Sequence, residues 1–406
     1  MKRNDFATFL VYVLMFGIAL GVGLLAIRPI MMEYSDKLPL HFVLLVVLSL
    51  LAGILINGIL LEAGHLLGAK VGKYEVLSCV MFMIGVRKKE GKYHFGVYSY
   101  DGLTGETKVA PKDEEKSSLG VYAFLPIFFY LIEAIVLMVL NSYAAGQLKT
   151  HPEMAWLQVF SLTILAVGGM VFLYDIFPFR LDSMNDGYLF LLLSKNENKV
   201  AYNYYLNVEK AKFLGEPAPE LRSFEAITDF TSYLNYFVIY DCVRKGDFDQ
   251  ANALLDRVIN AEKGVSATAK NEASCFKLSL LLASSKTTVG KAYYADFTDE
   301  QKKYISDIGS VAALRAYLLI SACVEESEGE ANYALDKVEK AIAPLRKNEE
   351  VFFESEKALL QHDKDFVAKL HPSWDLYPLP WEAKKETAPE EGKEKEEPKE
   401  EAEDEE

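Results

Sequence analysis

The sequence predicts a mostly α-helical, polytopic membrane protein of about four transmembrane helices with a small cytoplasmic β-sheet insert, followed by a soluble all-α domain. Three observations predict it. Residues 6–27, 38–61 and 154–174 contain no Lys, Arg, Asp or Glu, and 117–141 contains only Glu133. Between the second and third apolar stretches lies an alternating segment rich in Val, Tyr and Phe. Beyond residue 187 apolar residues recur at helical spacing among charges. A chain of 406 residues with 51% hydrophobic residues and a net charge of −15, distributed so unevenly, is not one soluble domain. A purely soluble enzyme is excluded.

The elements follow in order. Spans are expected at about 6–28, 38–66, 117–141 and 154–177, each long enough to cross ~30 Å of hydrocarbon. Positive side chains near span ends stay cytoplasmic. Lys2 and Arg3 precede the first span, Arg28 and Lys37 follow it, and only Lys149 follows the third. The segment between spans two and three instead carries Lys73, Arg87, Lys88, Lys89, Lys92, Lys108, Lys112 and Lys116. Both termini and residues 71–116 are therefore expected in the cytoplasm. The first span lacks a small-residue cleavage site and reads as a retained anchor, not a signal peptide. The insert, 74–110, alternates over 74–86, 93–100 and 106–110, with turns at Glu90-Gly91 and Asp101-Gly102. This completes a membrane domain of residues 1–196.

Residues 197–378 read as a cytoplasmic helical domain. It contains an echo: Ala251-Asn-Ala-Leu-Leu-Asp-Arg-Val-Ile-Asn-Ala returns eighty positions later as Ala331-Asn-Tyr-Ala-Leu-Asp-Lys-Val-Glu-Lys-Ala, identical at six of eleven positions. The spacing resembles tetratricopeptide-type helical hairpins, which stack to bind peptides; a generic helical bundle explains it equally well. Residues 379–406 form an acidic tail, net −8 from Glu382 onward, too polar to bury a core and expected to be disordered. The acidic balance speaks against a nucleic-acid partner. Cys79, Cys242, Cys275 and Cys323 show no metal or disulfide spacing and read as reduced thiols.

Ionisable residues enter the apolar second span at Leu61-Glu62-Ala63-Gly64-His65. Burying Glu62 and His65 is costly unless they are paired or bind an ion, which marks a candidate site. A second cluster, Asp175-Ile-Phe-Pro178 followed by Asp182 and Asp186-Gly187, closes the fourth span, where Pro178 must break the helix. Glu133 lies within span three and is expected either to face the same cavity, pairing with Asn57 or His65, or to stay neutral.

Together these clusters resemble the site-2 protease family of intramembrane zinc metalloproteases over about residues 40–190. The resemblance rests on a Glu-x-x-His at the end of one span, a strand segment after it, and Asp-Gly beyond a Pro-containing break two spans later. It implies that His65 and Asp186 are zinc ligands, that Glu62 is the general base, and that Asn57, Leu61, Glu133, Pro178 and Gly187 line or support the cavity. The first ligand of the family's His-Glu-x-x-His is Leu61 here. His residues at i and i+4 supply two of the three protein ligands of an open catalytic zinc. Losing one of them lowers affinity by roughly several hundred-fold.

The sequence thus leaves its enzyme status open and zinc as the cofactor if there is one. The first reading is a pseudoprotease in a bacterial plasma membrane, binding membrane substrates, peptides or partners. The second is an active endopeptidase using Glu62, His65, Asp186 and an unidentified third ligand. The third is a membrane-anchored protein whose helical domain binds a protein partner.

Overall fold

The computed structural model describes residues 3–38, 40–100, 104–178, 185–284, 286–348 and 350–382. The Asp101-Gly102 turn and the acidic run from 383 lie outside the described residues. Four helical stretches, Phe9–Lys37, Phe42–Val71, Leu119–Gln147 and Pro152–Ile176, are long and apolar enough to cross a membrane. The chain divides into two compact units, Met1–Leu234 and Asn235–Glu406. Residues 197–234, whose charged pattern the sequence groups with the helical domain, therefore fold in the first unit.

The first unit opens with α1 (Arg3–Gly21), a π-helical turn at Val22–Ile27 and α2 (Arg28–Tyr34). Then come α3 (Phe42–Val71), strands β1 (Tyr74–Met81), β2 (Ile84–Lys89), β3 (Lys92–Val97) and β4 (Gly105–Pro111), and the helices α4 (Leu119–Gln147), α5 (Ala155–Ile176), α6 (Asp186–Leu193) and α7 (Glu197–Leu214). At 30 residues α3 is about 45 Å long, more than a hydrocarbon core of ~30 Å needs, and its last turns carry Glu62, His65 and Lys70. Small residues let it approach α4 closely. A Cβ on Gly64 would lie 2.5 Å from Pro126 Cα, and one on Gly68 would lie 2.6 Å from the Tyr122 carbonyl oxygen.

The sheet is antiparallel in the order β3-β2-β1-β4. The expected continuous strand over 74–86 is two strands, because Phe82 and Met83 both take positive φ (48° and 69°) and reverse the chain. Neither is a residue that announces such a turn. Glu90 and Gly91 turn as expected, with φ of 51° and 76°. β1 runs back beside α3, and the Phe82 ring covers Gly58, about 20 Å along the helix from Val71. α7 packs on β4, held by Asn203, which accepts from Tyr74 Oη at 2.7 Å and donates to the Glu114 carbonyl at 2.6 Å. Glu75 accepts from both Lys88 and Lys210.

α8 (Asp229–Lys245) leads into the second unit, which continues with α9 (Phe248–Ile259), α10 (Ala267–Leu282), α11 (Thr287–Ala295), α12 (Asp299–Ser306), α13 (Val311–Cys323), α14 (Glu328–Asp336), α15 (Val338–Asn348) and α16 (Glu350–Leu370). The sequence echo is a structural one. Gly246 and Glu326, eighty positions apart, both take positive φ. Asp247 and Ser327 then cap α9 and α14 through the backbone NH three residues on. The buried residues also match: Ala251, Leu254, Leu255 and Val258 against Ala331, Ala334, Leu335 and Val338.

At the centre of this unit Arg315 is 1% exposed and bonds Asp363 at 2.7 Å and Glu356 at 3.4 Å, while Tyr240 donates to Glu356 and Phe276 lies under the guanidinium. Burial opposes the Arg315 charge, but the two carboxylates outweigh it and hold the group above its ordinary value. The tail begins later than the expected 379: Leu379 is fully buried in the core, and Glu382 bonds Gln361 and Lys364. Leu379 and Trp381 give this stretch the apolar anchors that the residues after it lack.

Candidate functional site

Glu62 and His65 lie one turn apart on α3 and so share a face. That face is roofed by the returning sheet and walled by α4. Glu62 is 1% exposed, and its Oε2 accepts from Thr107 Oγ1 of β4 at 2.5 Å. Tyr122 of α4 stacks on the His65 ring with centroids 4.9 Å apart and donates its hydroxyl to the Thr107 carbonyl at 3.0 Å. The same strand arrangement brings Cys79 of β1 beside Thr107, where burial pushes its thiol up. Cys79, which reads from the sequence as a reduced thiol, comes here because β1 runs back beside α3.

Asp186 reaches the site through a brace built around Asn185. The Asn185 amide donates to the carbonyls of Tyr174 and Phe177 at 2.8 and 2.7 Å, satisfying the open end of α5. Its side-chain oxygen accepts from Tyr188 NH at 2.9 Å and caps α6. Gly187 makes the close approach possible, since a Cβ there would lie 2.0 Å from the Ile176 carbonyl oxygen. Pro178 follows at the exposed break, where Phe177 has turned extended. Asp186 Oδ2 consequently lies 3.9 Å from His65 Nε2 across 121 residues of sequence. Asp175, at the last turn of α5, hydrogen-bonds both the backbone and the carboxyl of Asp186. Burial, then Asp175 and Glu62 beside it, push the Asp186 carboxyl well above the ordinary carboxylate range.

The structure therefore gathers Glu62, His65 and Asp186 and leaves other candidates aside. Asn57 is buried one turn further along α3, its amide donating to the Gly53 carbonyl at 2.9 Å and its oxygen facing Gly168 of α5. Glu133 is half-buried on α4, and its Oε1 bonds neither Asn57 nor His65. Leu61 packs among Tyr130, Val167 and Val171. Sequence reasoning missed Asp175, Asn185 and Thr107. The first two sit inside the quoted break, whereas Thr107 carries no local signal because only the sheet's return places it over Glu62.

The donor set decides what the site can hold. A catalytic zinc needs three protein ligands, but among the described residues no three His, Cys, Asp or Glu side chains are gathered to hold a metal. His65 and Asp186 face each other as two donors, and the position of the missing third is filled by Leu61 in an apolar pocket. Among the described residues, the donors gathered here do not complete a three-ligand zinc site. Among those same described residues, His65 Nδ1, Asp175 Oδ2 and Asp186 Oδ2 are buried without hydrogen-bond partners. Buried polar atoms are almost always satisfied, so three orphans in one place are a functional signature. In comparisons with family models, curated proteins and solved structures, the chain matches none significantly.

Proposed function

We propose that this chain is a catalytically impaired member of the site-2 protease family, a pseudoprotease that binds membrane segments or peptides without cutting them. One observation carries the reading: His65 and Asp186, far apart in sequence, converge beneath a sheet that also covers Glu62, with their outer polar atoms unpartnered and an apolar side chain where a third donor belongs. The chain's own residues supply binding chemistry. The carboxyl oxygens of Asp175 and Asp186 accept hydrogen bonds from the backbone of a locally unwound segment, whose NH groups have no partner in hydrocarbon. His65 Nδ1 adds a further polar contact, Thr107 holds the Glu62 carboxyl in place, and the sheet keeps water out.

In this reading the four spans lie in a bacterial plasma membrane with both termini in the cytoplasm, as the lysines of 71–116 favour. The second unit is a tetratricopeptide-like adaptor, a reading supported by its paired hairpin junctions at Gly246 and Glu326. The test is the zinc content of the detergent-purified protein, dialysed against buffered free zinc, beside a Leu61→His version. An empty wild type and a filled variant are expected. Near one zinc per chain in the wild type would overturn the proposal and put the active endopeptidase ahead. Two empty proteins would reduce the resemblance to architecture and favour the anchored interaction protein.

A further inference from the structure

The second unit grips a stretch of its own chain without helix or strand. After α16 the chain turns at His371, whose ring stacks on Trp374 at 3.8 Å, then runs without helix or strand over residues 374–379 beside α14 and α16 and closes in a helical turn at 380–382. Asn332 of α14 reads this stretch twice: its amide donates to the Asp375 carbonyl at 2.9 Å, and its oxygen accepts from Tyr377 NH at 2.8 Å. Glu328 accepts from Asp375 NH at 2.7 Å. On the other side Gln361 of α16 accepts from Trp381 Nε1 at 2.8 Å.

The contacts of Asn332 and Glu328 fall on backbone groups, which any sequence provides, while specificity falls on the Trp381 indole NH and on four apolar anchors. Trp374, Leu376 and Trp381 pack on the core and Leu379 is fully buried in it, whereas Asp375, Tyr377 and Pro378 between them stay exposed. A side-chain amide reading residues i and i+2 of an extended chain, with alternate side chains in pockets, is how extended peptides are recognised. The stretch also leaves room beside it. A surface hollow lined by Glu328, Gly329, Asn332, Tyr333, Asp336 and Tyr377 continues past the point where Asn332 holds the chain.

We propose that the α14–α16 face is a docking groove for extended peptides with aromatic and leucine anchors, and that residues 374–381 are its built-in occupant, displaced when a partner peptide of the same pattern binds. The occupant leads directly into the acidic run of the sequence from Glu382.

Full-length protein in nanodiscs tests this by hydrogen exchange and by fluorescence anisotropy with a labelled peptide of residues 372–382. The amides of Asp375, Tyr377 and Leu379 are expected to exchange at least tenfold faster than those of α13, because the stretch opens without the core. Asn332→Ala should speed Tyr377 further and leave α13 unchanged. Leu379→Ala, which weakens the occupant but not the groove, should bind the peptide at least tenfold more tightly than wild type, and adding Asn332→Ala should abolish that gain. Wild-type amides of 375–379 that exchange no faster than α13 overturn the proposal, whether or not the variants fold. A folded Leu379→Ala protein that binds the peptide no better than wild type overturns it as well.

Discussion

Each unit of the molecule buries a cluster of charged side chains, and the two clusters are built on opposite terms. Around Arg315 both carboxylates and a tyrosine hydroxyl are engaged, and an aromatic ring lies under the guanidinium. Around His65 two acids of one sign meet an imidazole that no carboxylate touches at hydrogen-bond distance, and three polar atoms lack partners. A closed cluster holds helices together. An open one keeps unspent bonding capacity, which serves a ligand better than it serves the fold.

The largest effect should come from opening the closed cluster. Arg315→Ala leaves Asp363 and Glu356 buried without their cation, and should destabilise the second unit by about 3–5 kcal/mol. Chemical denaturation followed by circular dichroism would read the loss; a change below about 1 kcal/mol would break the contrast. Next comes the frame of the open cluster. Gly64→Leu forces α3 away from Pro126, and overpacking of this kind costs roughly 1–3 kcal/mol, visible as a lower yield of monodisperse protein in detergent.

The open cluster itself should be nearly silent. Asp186→Asn replaces a buried carboxyl, which burial already holds in its neutral form, by an amide of the same shape that can still bond Asp175, so the melting temperature should stay within about 1 kcal/mol of wild type. A penalty as large as that of Arg315→Ala would make the site a structural one. The smallest effect is expected at the surface of the first unit. The hydrogen bond from Lys88, then that from Lys210, holds the Glu75 carboxyl below its ordinary range. Its contribution is therefore complete above about pH 4.3 and lost as the pH falls through the lower folded value. Glu75→Gln should flatten the pH dependence of melting in that acid window by a few tenths of a kcal/mol, since the pair is partly exposed.

The two clusters also differ in how far the sequence reveals them. Glu62 and His65 stand out because an apolar span makes any ionisable residue conspicuous, and Asp186 stands out beside a proline break. Arg315 does not stand out: in a soluble helix an arginine is ordinary, and only the packing of α16 shows that it is buried. The four long apolar helices were legible for the same reason, whereas their ends were not: α3 stays helical to Val71, past Glu62 and Lys70, and α4 to Gln147, past the expected 141. The break at Phe82-Met83 was hidden because aromatic and thioether side chains favour strands, and tertiary packing against Gly58 overrode that preference. Thr107 belongs to the same class, since its role depends on where a sheet lies and not on its neighbours in sequence.

The brace at Asn185 sets how much change the fourth span's exit can absorb. One amide grips the two carbonyls at the end of α5 while the same side chain starts α6, so Asp186 is tied to α5 by direct hydrogen bonds through its neighbour. Asn185 is thus a single rivet through two helix ends, and that exit absorbs change only as long as the amide is kept: Asn185→Ala should loosen the end of α5 and the start of α6 together.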